Sequence, residues 1–145
     1  MENIFIEGAV SINIIAEIVQ KYSSNTEVGG HSIFLGQVRA DEKEGKKVQA
    51  IEFTAHHEMA IKKMEQIKKE IITKYKLTGL QVFHSLGTVK TGEICLFALT
   101  SAKHRKPAIE ACNELVERLK KELPVWGKEI YNDGSYVWKE NKYNS

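Results

Sequence analysis

The chain contains only two prolines, Pro107 and Pro124, and they bracket one amphipathic stretch near its C-terminal end. Proline lacks a backbone N–H and fixes φ, so it suits the first turn of a helix and stops a helix that reaches it from upstream. Pro107 therefore reads as the first helical position, and the residue before Pro124 is driven towards extended backbone, ending the helix near Leu123. Between them Ile109, Cys112, Val116, Leu119 and Leu123 recur three and four apart, the spacing of one buried helical face. Any fold must place a helix over 107–123 and turn it straight into an extended segment. The run KKELPVWGKE, 120–129, then sets Lys120 and Lys128 on either side of the break, where both ammonium groups can face one cleft.

The rest of the chain alternates in period. Residues 3–7 form a short strand, and Ser11 caps a helix to about Tyr22 with the stripe Ile15, Ile18, Val19 and Tyr22. HSIFLGQV, 31–38, is a strand in which Gly36 marks a bulge or a close backbone approach, and the charged run 40–47 is a hairpin loop or a flap. A strand over 48–56 leads into the clearest helix, 58–76, with Ala60, Met64, Ile67, Ile71 and Tyr75 on one face. Strands follow at 80–86 and 93–100, joined by the turn GTVKTG; the second is apolar almost throughout, as a central strand is. After the last helix, Asn132-Asp133-Gly134 joins 125–131 to 135–138 as a hairpin, and the tail 140–145 frays. The pattern predicts an α+β fold, a mainly antiparallel sheet with helices packed on one side of it. No linker or internal repeat divides residues 1–145, so the expectation is a single domain.

A chain of 145 residues buries roughly 68–70% of its unfolded surface, enough for a core without staples. Apolar residues at 42% and charged residues at 28% mark an ordinary globular composition, and the net charge of +2 demands neither nucleic acid nor an acidic membrane. No apolar run reaches the length of a membrane span and no basic leader precedes one, so the expected location is the cytoplasm. Cys95 and Cys112 lie inside predicted elements, outside any CxxC pair, and read as reduced core residues.

Four basic residues, Lys103 to Lys106, stand where the last helix begins. Cations there oppose the helix dipole by roughly 0.3–1 kcal/mol each, so the cluster points to a bound anion, His104 and Arg105 clamping a phosphate beside free N–H groups. The bland alternative is a solvated basic loop. Lys120 in the last helical turn is by itself an ordinary surface lysine; Lys128, Arg105 and Arg39 converging on it would lower its pKa and make it a usable base or nucleophile. Arg39, at a strand end, serves binding or solubility equally well, and Trp126 reads as a core plug. His56 and His57, adjacent in sequence, fall on opposite faces of a strand and make no shared metal site; no Cys/His spacing supports zinc, and no glycine pattern supports a phosphate loop.

Three motifs in order, FLGQVR (34–39), HR followed by AIEAC (104–112) and LKKELPVWGKE (119–129), resemble the MoaE family, the large, catalytic subunits of molybdopterin synthase, and the similarity runs in register from about Ile4 to Trp138. The resemblance implies a hammerhead-type α+β fold and a homodimer that carries a small ubiquitin-like subunit at each end, a heterotetramer. It implies a sulfurtransferase: the small subunit's C-terminal Gly-Gly thiocarboxylate delivers sulfur to cyclic pyranopterin monophosphate, and two transfers make the dithiolene of molybdopterin, with no metal and no organic cofactor. By motif, Gln37, Val38 and Arg39 line the substrate pocket, His104 and Arg105 hold the phosphate-bearing end, and Lys120 is the principal catalytic lysine.

One position departs from the family pattern. A lysine commonly follows the tryptophan of the PxW motif, whereas here Gly127 stands there and Lys128 comes next. On an extended segment a shift of one residue turns a side chain to the opposite face. Either glycine's freedom lets Lys128 swing into the pocket, or Lys120 works alone, with Glu129 orienting whichever lysine is active. The competing reading of the residues is a non-catalytic α+β module holding a nucleotide or RNA in a basic cleft; the near-neutral charge and the lack of aromatics beside the basic cluster weigh against RNA.

Overall fold

Caps and turns delimit the elements where the chemistry demands them. The computed structural model describes residues 2–139. In chain order they form β1 (Phe5–Glu7), α1 (Ile12–Ser23), β2 (Gly30–Gln37), β3 (Glu42–Lys43), β4 (Lys46–Ala55), α2 (His57–Tyr75), β5 (Gly79–Lys90), β6 (Ile94–Ala102), α3 (Arg105–Glu122), β7 (Val125–Tyr131) and β8 (Tyr136–Trp138). Residues 140–145, expected to fray, lie outside the described residues. Ser11 caps α1 by accepting from the Ile14 N–H at 3.2 Å. The run 40–47 is a hairpin: Glu44 and Gly45, at φ 52° and 78°, make the left-handed two-residue turn that matches strand twist. His56 and His57 open α2 rather than ending a strand, with the His56 Nδ1 accepting from the Met59 N–H at 3.2 Å.

The strands form one open sheet in the order β2-β6-β5-β4-β7-β8, antiparallel throughout this path; β1 adds parallel to β5, and β3 pairs with β4. β6 is central, between β2 and β5, as its unbroken apolarity predicts. β5 is longer than expected, because GTVKTG does not turn until Thr91-Gly92. Its first half pairs with β6 and its second half, Gly87 to Lys90, with β4. Gly87, at φ 77°, lets one strand serve both halves of the sheet, a backbone position an L side chain resists.

Alternation along the central strands feeds two cores. Leu80, Val82, Leu96 and Ala98 face α2 and α3, joining Ile67, Ile71 and Leu115, all fully buried and each worth roughly 1.5–3 kcal/mol of apolar transfer. Phe97 and Leu99 face the other way, onto Ile15, Ile18, Val19 and Tyr22 of α1. Helices therefore cover both faces of the sheet, not the single face expected. A third cluster, Val38, Val48, Ile51, Val89 and Tyr131, closes the far end of the β4 region. Arg118 ties α3 to α2, 2.9 Å from Glu70 and 2.6 Å from Glu122.

Candidate active site

α3 buries Ala108, Ala111, Cys112, Leu115, Val116 and Leu119, while Ile109 is 57% exposed, so the expected stripe is rotated by about one residue at its start. The cause is that the helix begins at Arg105 with Pro107 as its third residue, still within the turn whose N–H groups need no helical partner. At the other end the proline acts as expected. Leu123 is extended, its N–H reaching the Leu119 carbonyl at 3.2 Å, and the Pro124 carbonyl accepts from the His56 N–H at 3.0 Å. β7 then pairs with β4 from Val125 onward. Lys120 is thereby fixed at the seam between a helix end and a sheet.

A cleft of about 450 Å³ opens at that seam. α3 contributes Val116, Glu117, Leu119, Lys120 and Lys121, and β2 contributes Phe34, Gly36 and Gln37. Leu123 beyond α3, Ile51 and Phe53 of β4, His84 of β5, Cys95 and Leu96 of β6, Val125 and Gly127 of β7, and Lys139 beyond β8 complete the wall. Apolar and aromatic walls with ammonium groups at the rim suit a small anion with an organic body. Gly36 is both a bulge, where the β2 register shifts, and a close approach, since an added Cβ would stand 3.1 Å from the Leu96 Cβ.

His84 forms part of the wall as a neutral base. Burial pushes its pKa down, and its Nδ1 lies 2.8 Å from the Ser85 carbonyl oxygen, which only accepts. The proton therefore sits on Nδ1, leaving the Nε2 lone pair. Its ring stands edge-on to Phe53, centroids 5.2 Å apart. Cys95, expected in the core, is half-buried in this wall; burial raises its thiol pKa while the Lys139 and Lys120 ammonium groups pull it back.

Of the residues nominated from sequence, the structure brings Gln37, Lys120 and Gly127 to the cleft. Val38 is 2% exposed and packs into the third core cluster, and the Arg39 side chain is solvent-facing with Asp41 3.3 Å away. Alternation explains this split, because Gln37 and Val38 are consecutive on extended backbone. His104 and Arg105 sit at the opposite end of α3, about fifteen residues and roughly 22 Å from Lys120 at 1.5 Å per residue. They are exposed there, and the His104 side chain makes no cap bond. Gly29 and Gly30 let this basic loop lie against β2: an added Cβ on Gly29 would run into the Lys103 carbonyl oxygen, and one on Gly30 would stand 3.2 Å from the Arg105 Cα.

β7 settles the geometry of the glycine and the lysine that follows it. Gly127 stays in regular pairing with Phe53 and faces the cleft, while Trp126 and Lys128 face out. Trp126 is 50% exposed, so it plugs no core. Lys128 is held on the outer face, 3.7 Å from Glu52 and with its ammonium 4.5 Å from the Tyr136 ring centroid and 5.7 Å from that of Trp138. Glu129 points inward but is 4% exposed and meets Lys43 at 3.4 Å. Phe34, Phe53, His84, Cys95, Lys121 and Lys139 were not singled out from sequence. Nothing local signals His84 or Lys139, which reach the cleft through sheet register.

An open, mainly antiparallel sheet with helices packed on it and a lysine-lined cleft at a helix end define the molecule as an α+β protein. The chain belongs to the MoaE protein family, whose model matches residues 9–122. It is 40% identical over 113 residues, 78% of this chain and 76% of the other, to a molybdopterin synthase catalytic subunit of Pyrococcus abyssi. The crystal structure of molybdopterin synthase from Staphylococcus aureus superposes with a TM-score of 0.84 at 30% identity, covering 97% of this chain and 98% of that one. A protein–protein complex of subunits 1 and 2 of molybdopterin-converting factor from Helicobacter pylori shares the fold, TM-score 0.80 at 20% identity over 95% of this chain and 90% of that one. The chain spans 31% and 58% of the length of longer relatives from Drosophila willistoni and Oryza sativa. No helix among the described residues is long and apolar enough to cross a membrane.

Proposed function

We propose that the chain is the catalytic subunit of a molybdopterin synthase, transferring sulfur from the C-terminal thiocarboxylate of a small ubiquitin-like subunit to cyclic pyranopterin monophosphate. The observation that carries this reading is Lys120 on the rim of a cleft with apolar walls, in a chain of the MoaE family. A thiocarboxylate is already ionised and needs no base. Its sulfur bonds to a substrate carbon as a carbon–oxygen bond there breaks, the oxygen leaving with the phosphate or as water; a second water then cleaves the sulfur–acyl bond, and the small subunit leaves as a carboxylate. Opening the cyclic phosphate develops negative charge on substrate oxygens, which an ammonium in a partly dry cleft stabilises or protonates. Lys120 has that role, with Gln37 and Gly127 shaping the wall. The working compartment is the cytoplasm.

The functional unit is a homodimer within a heterotetramer. His104 and Arg105 stand too far from Lys120 of their own chain to share a substrate with it, so they hold the phosphate-bearing end in the cleft of the second copy. Arg39, turned away from its own cleft, is assigned to binding across the same junction or to the small partner. The test is single-turnover conversion of cyclic pyranopterin monophosphate by the chain with a thiocarboxylated small subunit, product detected by mass. Formation of the dithiolene product supports the synthase; no product from a folded chain with an active partner overturns it.

A further inference from the structure

One inward-facing position of the β7 wall carries no side chain. Gly127 faces inward there without one, and a Cβ at that position would stand 3.0 Å from the Ile51 Cγ2 and 3.4 Å from the Phe53 Cε1. The wall is closed to a side chain rooted on β7 unless those neighbours give way. Lys128 does not reach this wall, being sandwiched between Glu52, Tyr136 and Trp138 on the outer face.

The adjoining strand supplies what β7 lacks. β8 pairs with β7 so that Trp138 lies opposite Lys128, and the next residue donates its backbone N–H to the Gly127 carbonyl at 2.8 Å. Because Trp138 faces out with Lys128, alternation turns Lys139 to the inner face, and it lines the cleft. Lys120, Lys139 and Cys95 line the same cleft, and the charges of both lysines act on the Cys95 thiol. Lys120 comes from the end of a helix and Lys139 from the end of a hairpin.

We propose that Lys139 is a substrate-contacting residue of this cleft, the second ammonium that, with Lys120, holds an anionic group. The assignment rests on the synthase reading for the identity of the anion, which is either the phosphate of the pterin or the carboxylate-type end of the small subunit's tail. Lys139 takes no covalent part.

The experiment compares wild type, Lys139→Gln, Lys139→Arg and, as a surface control, Lys62→Gln in three measurements. The first is single-turnover rate against pterin concentration with saturating thiocarboxylated partner. The second is titration with the carboxylate form of the small subunit. The third is titration with inorganic phosphate, read from the Gly127 and Cys95 amide resonances. Lys139→Gln is expected to lower the turnover rate at low pterin by about a hundredfold, or partner affinity by at least tenfold, with Lys139→Arg regaining most of the loss and melting temperature unchanged. Loss confined to the pterin dependence assigns the phosphate; loss confined to partner affinity assigns the tail. If wild type makes no product yet phosphate shifts the Gly127 resonance and the shift vanishes in Lys139→Gln, the contact stands and the synthase reading falls. If Lys139→Gln matches wild type in all three measurements, the proposal is overturned.

Discussion

The two ends of α3 carry the same kind of charge in opposite settings. At the C-terminal end Lys120 lies beside aromatic and aliphatic walls from β2, β4, β5 and β6, and its cation complements the helix dipole. At the N-terminal end His104 and Arg105 oppose the dipole, stand exposed and line no part of the Lys120 cleft. The described walls of the first end all come from one chain. The second makes electrostatic sense only when an anion is brought to it from outside, which a second copy's cleft would do. The proposed division of the site would give the two ends different kinetic signatures.

The largest effect is expected at the walled end. Lys120→Ala should lower the single-turnover rate by about 10²–10³-fold, the cost of losing one preorganised charge at the reacting group. Melting should stay within about 0.5 kcal/mol of wild type, because the side chain is exposed and buries nothing. A rate within threefold of wild type would remove Lys120 from the chemistry. Arg105→Ala comes next: losing a charged hydrogen bond of about 1.5–3 kcal/mol should raise KM roughly ten- to hundredfold and change kcat less. Mixing Lys120→Ala chains with Arg105→Ala chains sharpens the comparison. If Arg105 serves the other copy's cleft, each mixed dimer regains one intact site and activity returns; if both act within one chain, mixing restores nothing.

How legible these features were follows from where their causes lie. The helix break at Pro124, the Asp133-Gly134 hairpin and the α2 stripe are local, and the sequence announced them. The length of β5 was not legible, since Gly87 reads as a turn residue and instead lets the strand change partners. The α1 layer on the second face was hidden because the near-continuous apolarity of β6 does not say which residue faces which helix. In the site, motif residues separated by alternation: Gln37 reached the cleft while Val38 went to the core. Lys139 and His84 were invisible because only strand register brings them to Gly127 and Phe53.

A smaller effect concerns the wall beneath both cations. His84 is buried neutral, its pKa lowered by desolvation against an ordinary value near 6.5. The unfolded chain binds a proton there more readily than the folded one, so the stability His84 permits is fully present above about pH 6.5 and declines as pH falls below it. The carboxylates that titrate with folding act lower still: Glu2, Glu70, Glu114 and Glu122 are shifted down from the usual range, and Asp133 to about 2. Between about pH 7 and about pH 5 the melting temperature of wild type should therefore fall, and His84→Phe should flatten the dependence. An equal slope in the variant would mean the imidazole is reached by water.

The smallest effect is expected at Lys128, and it decides what the outer face of β7 is for. Its ammonium lies over Tyr136 and Trp138 and beside Glu52, all on the side of the sheet away from the cleft. Lys128→Ala should cost about 0.5–1 kcal/mol for the lost cation–π contacts and little for the ion pair, lowering the melting temperature by roughly 1–4 °C. The single-turnover rate should change by less than about threefold. A large loss of rate at an unchanged melting temperature would mean that the β7–β8 hairpin opens during turnover and delivers Lys128 inward. Lys139, whose backbone is tied to Gly127 in the same hairpin, would then be displaced by the same movement, so the two lysines cannot both hold the anion. Their variants should therefore never show comparable kinetic losses.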